Sequence, residues 1–124
     1  MQLWPTKPIV LEALRATFER AASSDTDVLL CLEAEGQIVG FCAYALVNNL
    51  WQEGQIAYIY AMVVDEACRG KGFGTRLINE AIAQARRQGL KRVELDSGFT
   101  REKAHAFYER LGFEKRAYLF SYIL

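Results

Sequence analysis

Apolar and polar positions follow two different rhythms along this chain, and each change of rhythm marks an element. From Pro8 to Ala22, the apolar residues Ile9, Val10, Ala13, Leu14, Ala16, Phe18 and Ala21 fall mostly on one side of a helix, and Pro8 suits its first turn. Ser23-Ser24-Asp25 breaks that pattern. Val28 to Glu33 is a short run of β-formers, Glu35-Gly36 signals a turn, and Gln37 to Val47 resumes strand character, which predicts a hairpin. Beyond the polar stretch from Asn48 to Gly54, Ile56 to Val64 is β-branched, aromatic and nearly charge-free, as a central strand covered on both faces requires. Phe73, Leu77, Ile78, Ala81, Ile82 and Ala85 then recur with a helical period, closed by Gly89 with Arg86 and Arg87 in the last turn. Lys91 to Ser97 alternates as a strand, Arg101 to Leu111 reads as a second helix ending at Gly112, and Phe113 to Leu124 alternates imperfectly as a terminal strand. The order predicts a mixed α/β sandwich of one sheet and its covering helices.

The 124 residues, 52% of them apolar, are enough for one packed domain over 1–124, and 24% charge is that of an ordinary folded chain rather than a disordered one. No apolar stretch reaches the roughly 18 residues that a membrane span needs. Met1-Gln2-Leu3-Trp4-Pro5 lacks the basic and then apolar run of a signal peptide, so a cytoplasmic protein with no membrane partner is expected. Cys31, Cys42 and Cys68 are odd in number, have no C-x-x-C spacing and share the chain with one histidine, which argues against a zinc site and for free thiols. The net charge of zero conceals a split: residues 1–68 carry three basic and nine acidic side chains, whereas residues 69–124 carry twelve basic and six acidic.

The basic half contains the most informative segment. Arg69-Gly70-Lys71-Gly72-Phe73-Gly74 follows a predicted strand and opens a predicted helix. Glycines leave no side chains over the backbone amides of a helix's first turn, and those amides are its unpaired donors. The helix dipole, together with Arg69, Lys71 and Arg76, adds positive charge around them. The arrangement is either an anion cradle for a phosphate or pyrophosphate, or a tight turn whose glycines serve steric needs alone. It is not a P-loop, because the G-K-[ST] ending is missing. The dinucleotide-binding G-x-G-x-x-G is absent too.

Arg69-x-x-Gly72-x-Gly74 resembles the R/Q-x-x-G-x-G/A signature of the GNAT superfamily of acyl-CoA-dependent N-acyltransferases. Met62-Val63-Val64-Asp65 ahead of it is similar to the family's apolar strand, Ala104 to Phe113 resembles its A-x-x-F-Y-x-x-x-G-F helix motif, and Ile38-Val39-Gly40-Phe41 resembles its third strand. The resemblance spans about residues 28–124. It implies a largely antiparallel central sheet flanked by helices and splayed open between the strands ending near Val64 and Ser97, with the family's first strand and first helix missing or reduced. It further implies that acetyl-CoA binds in the splay, with its pyrophosphate on the amides of Gly70, Lys71, Gly72, Phe73, Gly74 and Thr75, and its pantetheine along Met62, Val63 and Val64. A small-molecule primary amine would attack the thioester directly, and Tyr108 matches the family's acid for the departing thiolate. On the residues alone, Tyr108 reads as a core aromatic between Phe107 and Phe113.

Two departures stand out. Where many relatives carry a Glu or His in the strand before the loop, this chain has Tyr60, with Tyr58 two residues earlier on the same face. A tyrosine is a poor base at neutral pH. Deprotonation then falls to a water chain, to a distant carboxylate such as Glu33 or to a low-pKa acceptor, and the two tyrosines form an aromatic wall of the acceptor pocket. Where many relatives have a cofactor-contacting Asn, this chain has Arg101, which either reaches a cofactor phosphate or pairs with Glu102 or Asp96. The stretch from Ser97 to Tyr108 is similar to a bacterial small-molecule subgroup that includes aminoalkylphosphonate acetyltransferases. The hairpin's outer strand is expected to be an edge, with Trp4, Trp51 and the apolar run from Tyr118 to Leu124 as surface to cover it, so a homodimer is expected. The basic half reads as counter-charge for cofactor phosphates, with no nucleic-acid partner. The alternative to an enzyme is a GNAT-like module that binds acyl-CoA, or only self-associates, without turnover.

Overall fold

The computed structural model describes residue 16 and residues 19–52, 54–98 and 101–124. Of the helix expected over Pro8 to Ala22, residues 16 and 19–22 are described, and they are helical. The remainder, and with it the expectation that the first strand and first helix are missing or reduced, lies outside the described residues. Four strands form one sheet in the order β1-β2-β3-β4, with β1 at Asp27–Ala34, β2 at Gln37–Asn49, β3 at Gly54–Val64 and β4 at Val93–Leu95. The first three pair antiparallel; β4 joins β3 in parallel. The parallel crossover is made by helix α1, Phe73–Arg87, and helix α2, Glu102–Arg110, follows β4. Short 3-10 turns at Leu50–Gln52 and Glu66–Cys68 flank β3.

The predicted hairpin forms, and its turn needs left-handed backbone at both Glu35 (φ 52°) and Gly36 (φ 78°). One sheet face is packed by the helices. Cys42, Tyr44, Ala57, Ile59, Met62 and Val64 meet Leu77, Ile78, Ala81 and Ala85 of α1 and Ala104 and Tyr108 of α2 in a single buried cluster. The α1 residues are those its helical period predicts. Burial pushes the Cys42 thiol up to about 12, and Cys31, Cys42 and Cys68 are all free.

A β-bulge decides how β3 meets this core. Ala43 pairs with Ala61 and Tyr44 with Ile59, so Tyr60 is the extra residue on β3. An inserted residue reverses the inward parity of a strand. Ala57 and Ile59 therefore face the helices before the bulge, and Met62 and Val64 after it. Gly40 closes the other side of this region. A Cβ there would lie 2.8 Å from the Val63 carbonyl oxygen and 3.1 Å from Leu77 Cδ1, so β2, β3 and α1 approach this closely only over glycine.

The splay is visible in the pairing. β4 pairs with β3 at Ala57, Tyr58 and Ile59, and β3 continues to Val64 beyond the last paired residue. The expected strand over Lys91 to Ser97 contracts to Val93–Leu95 for this reason.

The terminal strand expected over Phe113 to Leu124 does not form. Residues 113–124 carry no strand structure, and Leu119, Phe120, Tyr122, Ile123 and Leu124 are exposed. Alternation encodes which face a strand would bury, but a strand also needs a hydrogen-bonding partner. The described sheet contains none for this segment.

Candidate functional site

The glycine loop is built from the backbone upward. Asp65 closes β3 by accepting a hydrogen bond from the Ala67 amide (3.0 Å), which turns the chain through Glu66–Cys68 into the loop. Gly70 (φ 82°) and Gly72 (φ 79°) are both left-handed, a conformation costly for any residue with a Cβ. Gly72 is the N-cap of α1. It supplies no side-chain cap, its carbonyl accepts from the Arg76 amide at 3.1 Å, and the first turn has no acidic side chain. The amides of Phe73, Gly74 and Thr75 precede the first of the helix's own hydrogen bonds and remain as donors at its positive end.

These amides border a cleft of about 850 Å³ between the loop and the start of α2. Of the sequence-predicted cofactor residues, Val64, Arg69, Gly70, Gly72, Phe73, Gly74, Thr75 and Arg101 line it. Lys71 is exposed on the loop but not in the lining. Met62 is fully buried beneath the loop, with its Cε 3.1 Å from where a Cβ on Gly74 would stand, and Val63 is half-buried. Cys68 joins the loop side, and Glu102, Lys103, Ala104 and Phe107 of α2, which the loop motif does not point to, complete the cleft. The helix motif places Ala104 and Phe107 near the start of α2, but only the packing of α2 beside the loop makes them a wall.

A hydrogen bond at 2.7 Å joins His105 Nε2 to the Gly98 carbonyl and ties α2 to the loop after β4. Arg101 lines the cleft beside Glu102.

Tyr108 is buried in the core cluster and does not line the cleft. Its ring meets Phe107 and Phe113 edge-on, with centroids 5.3 and 5.7 Å apart. Burial pushes its phenol up to about 12, against an opposing pull from the Arg101 charge.

Tyr58 and Tyr60 are both half-buried, yet they reach in opposite directions across the sheet. The Tyr58 hydroxyl donates to Asp96 Oδ2, just beyond β4. The Tyr60 hydroxyl donates to Asp27 Oδ2 at 2.6 Å, at the start of β1. Burial and then the carboxylate raise both phenols, Tyr58 to about 12 and Tyr60 further, so neither serves as a base. The carboxylate beside Tyr60 is thus Asp27; Glu33 is exposed farther along β1. Among the described residues no cluster of side chains could hold a metal ion, and no helix is long and apolar enough to cross a membrane.

Comparisons with known proteins bear on this geometry. The family model of the GNAT acetyltransferases matches residues 2–113. An uncharacterized N-acetyltransferase of Methanocaldococcus jannaschii is 38% identical over 101 residues, covering 80% of this chain, which spans 44% of that relative's length. The aminoalkylphosphonate N-acetyltransferase of Salmonella typhimurium is 30% identical over 86 residues, covering 69% of this chain and 56% of its own. Among solved structures, an aminoglycoside acetyltransferase from an uncultured soil metagenomic sample superposes with a TM-score of 0.76 at 26% identity, covering 96% of this chain and 76% of its own.

Proposed function

Because the chain belongs to the GNAT family of acetyltransferases, we propose that it transfers an acetyl group from acetyl-CoA to a primary amine of a small molecule, by direct attack in a ternary complex. The observation that carries this reading is the cleft itself. Helix-terminal amides whose own first turn carries no acidic side chain, two left-handed glycines, Arg69 and Arg101 share one cleft, in which Glu102 is the acidic member of the lining. Such a set suits the phosphates of a nucleotide cosubstrate, with amides as directional donors and guanidinium groups as counter-charge. Acetyl-CoA supplies an activated thioester. The residues assigned to hold it are Arg69 to Thr75 at the phosphates, Met62 to Val64 along the arm, and Arg101 from α2. Tyr58 and Tyr60 are assigned to the acceptor side, and Tyr108, which lies in the core outside the cleft lining, is assigned as the acid for the thiolate by its match to the family's helix motif. The relatives named for aminoalkylphosphonates and aminoglycosides support a small-molecule amine as acceptor.

A thiol-release assay over an amine panel, run beside acetyl-CoA calorimetry, tests this. The expected result is cofactor binding together with thiol release on at least one amine. Binding without release on any amine would instead identify a non-catalytic acyl-CoA module, and absence of binding would overturn the cleft assignment.

Self-association belongs to the same proposal. β1 is an edge strand of the described sheet, and Trp51, Leu119, Phe120, Ile123 and Leu124 present apolar surface. A homodimer is expected in sedimentation at micromolar concentration, and a monomer throughout that range would overturn it.

A further inference from the structure

Just past the end of β4 the fold leaves a hydroxyl without a partner. Leu95 is the last residue of β4 paired to β3, opposite Ile59. Two residues on, the Ser97 hydroxyl oxygen is buried and has no hydrogen-bond partner among the described residues. Both of its neighbours are held. The Asp96 carboxylate accepts from the Tyr58 hydroxyl, and the Gly98 carbonyl accepts from the Arg101 amide at 3.1 Å and from His105 Nε2 at 2.7 Å. The segment is thus pinned on either side of Ser97. Taking a hydroxyl out of water without a replacement bond costs free energy, and such a group in a native fold marks a place where a further partner completes the bonding.

Its position says which partner. Parallel strands advance in step, so Ser97 stands across the splay at about the level of Ala61 and Met62, where β3 has no β4 residue to pair with. It lies outside the lining of the phosphate cleft, in which Val64 is the β3 member. A ligand anchored by its phosphates at residues 70–75 and running back along β3 passes Val64 first, and reaches the level of Ser97 with its far end. In acetyl-CoA that end is the thioester, whose carbonyl oxygen accepts hydrogen bonds and donates none.

We propose that the Ser97 hydroxyl donates to the thioester carbonyl of acetyl-CoA, and so makes the site selective for the acyl-loaded donor over a CoA thioether or free CoA. This rests on the reading that the acetyl-CoA arm runs along residues 62–64. The hydroxyl is already out of water, so the bond it gains on binding is not offset by the loss of one to solvent. A thioether and free CoA lack the carbonyl and leave the hydroxyl as unsatisfied as before. The site therefore favours the loaded donor over spent CoA.

The test uses the whole chain and reads binding rather than turnover. Calorimetry with acetyl-CoA and with S-ethyl-CoA, which has the same length without the carbonyl, should show a preference for acetyl-CoA of about five- to tenfold. Ser97→Ala should erase that preference by weakening acetyl-CoA alone, with S-ethyl-CoA affinity unchanged. The melting temperature of the unliganded variant should hold or rise, because alanine removes a buried hydroxyl that the unliganded fold leaves unpaired. A serine with a purely structural role would give the reverse, a lower melting temperature with the preference intact. The proposal falls if wild type binds the two ligands alike, if Ser97→Ala keeps the preference or weakens both ligands equally, or if the unliganded variant melts lower. Those results leave the cosubstrate assignment standing, whereas a wild type that binds neither ligand overturns that assignment and this proposal with it.

Discussion

Gly72→Glu is expected to weaken acetyl-CoA binding by roughly a thousandfold while leaving the chain folded. No atom beyond its chain neighbours lies within 4 Å of a Cβ built on Gly72, so the new side chain starts from open space at the cleft. The left-handed backbone, at φ 79°, adds a strain of about 1–2 kcal/mol to any residue with a Cβ. The larger effect falls on the ligand. A carboxylate about 4 Å from a bound phosphate costs roughly 4 kcal/mol near a protein surface, and about 1.4 kcal/mol is a factor of ten in affinity. Gly72→Ala carries the strain without the charge and should lose about tenfold or less. Calorimetry on the two variants separates the contributions. A Glu variant that still binds within tenfold of wild type would show that the anion does not sit at this turn.

Tyr108→Phe should lower kcat by about a hundredfold and leave the KM for acetyl-CoA unchanged. The phenyl ring preserves the edge-on contacts with Phe107 and Phe113, so the core keeps its shape. General acids contribute about a hundredfold to ten-thousandfold, and a phenol pushed up to about 12 belongs at the low end, since it gives its proton reluctantly to a thiolate whose thiol titrates near 8.5. The sign of the shift also sets a pH expectation. A raised phenol stays protonated until pH approaches its folded value, so loss of this proton should produce no alkaline fall in kcat below about pH 10. A steady-state comparison showing unchanged turnover would assign Tyr108 to the core alone.

Both outcomes concern residues whose type and spacing were legible in the chain, but whose surroundings were not. The Gly70–Gly74 turn could be located because a strand pattern, three glycines and a helical period adjoin in sequence. The α1 face could be listed because Leu77, Ile78, Ala81 and Ala85 repeat with the helix. The far wall of the cleft could not, because Glu102, Lys103 and Phe107 come to the loop only through the packing of α2.

Local pattern determined the hairpin, the central strand, the crossover helix and the left-handed loop, since each depends on residues a few positions apart. Tertiary structure decided the rest. The bulge at Tyr60 arises from how β2 and β3 register, and it reverses which residues of β3 face the helices. Alternation over Phe113 to Leu124 predicted a strand, yet no edge of the described sheet receives it. Tyr58 and Tyr60 share a face by spacing, whereas the carboxylates that take their protons come from Asp96 and Asp27, 38 and 33 positions away. A period fixes the direction of a side chain from its own backbone; which partner waits there is set by strands that meet only once the chain has folded.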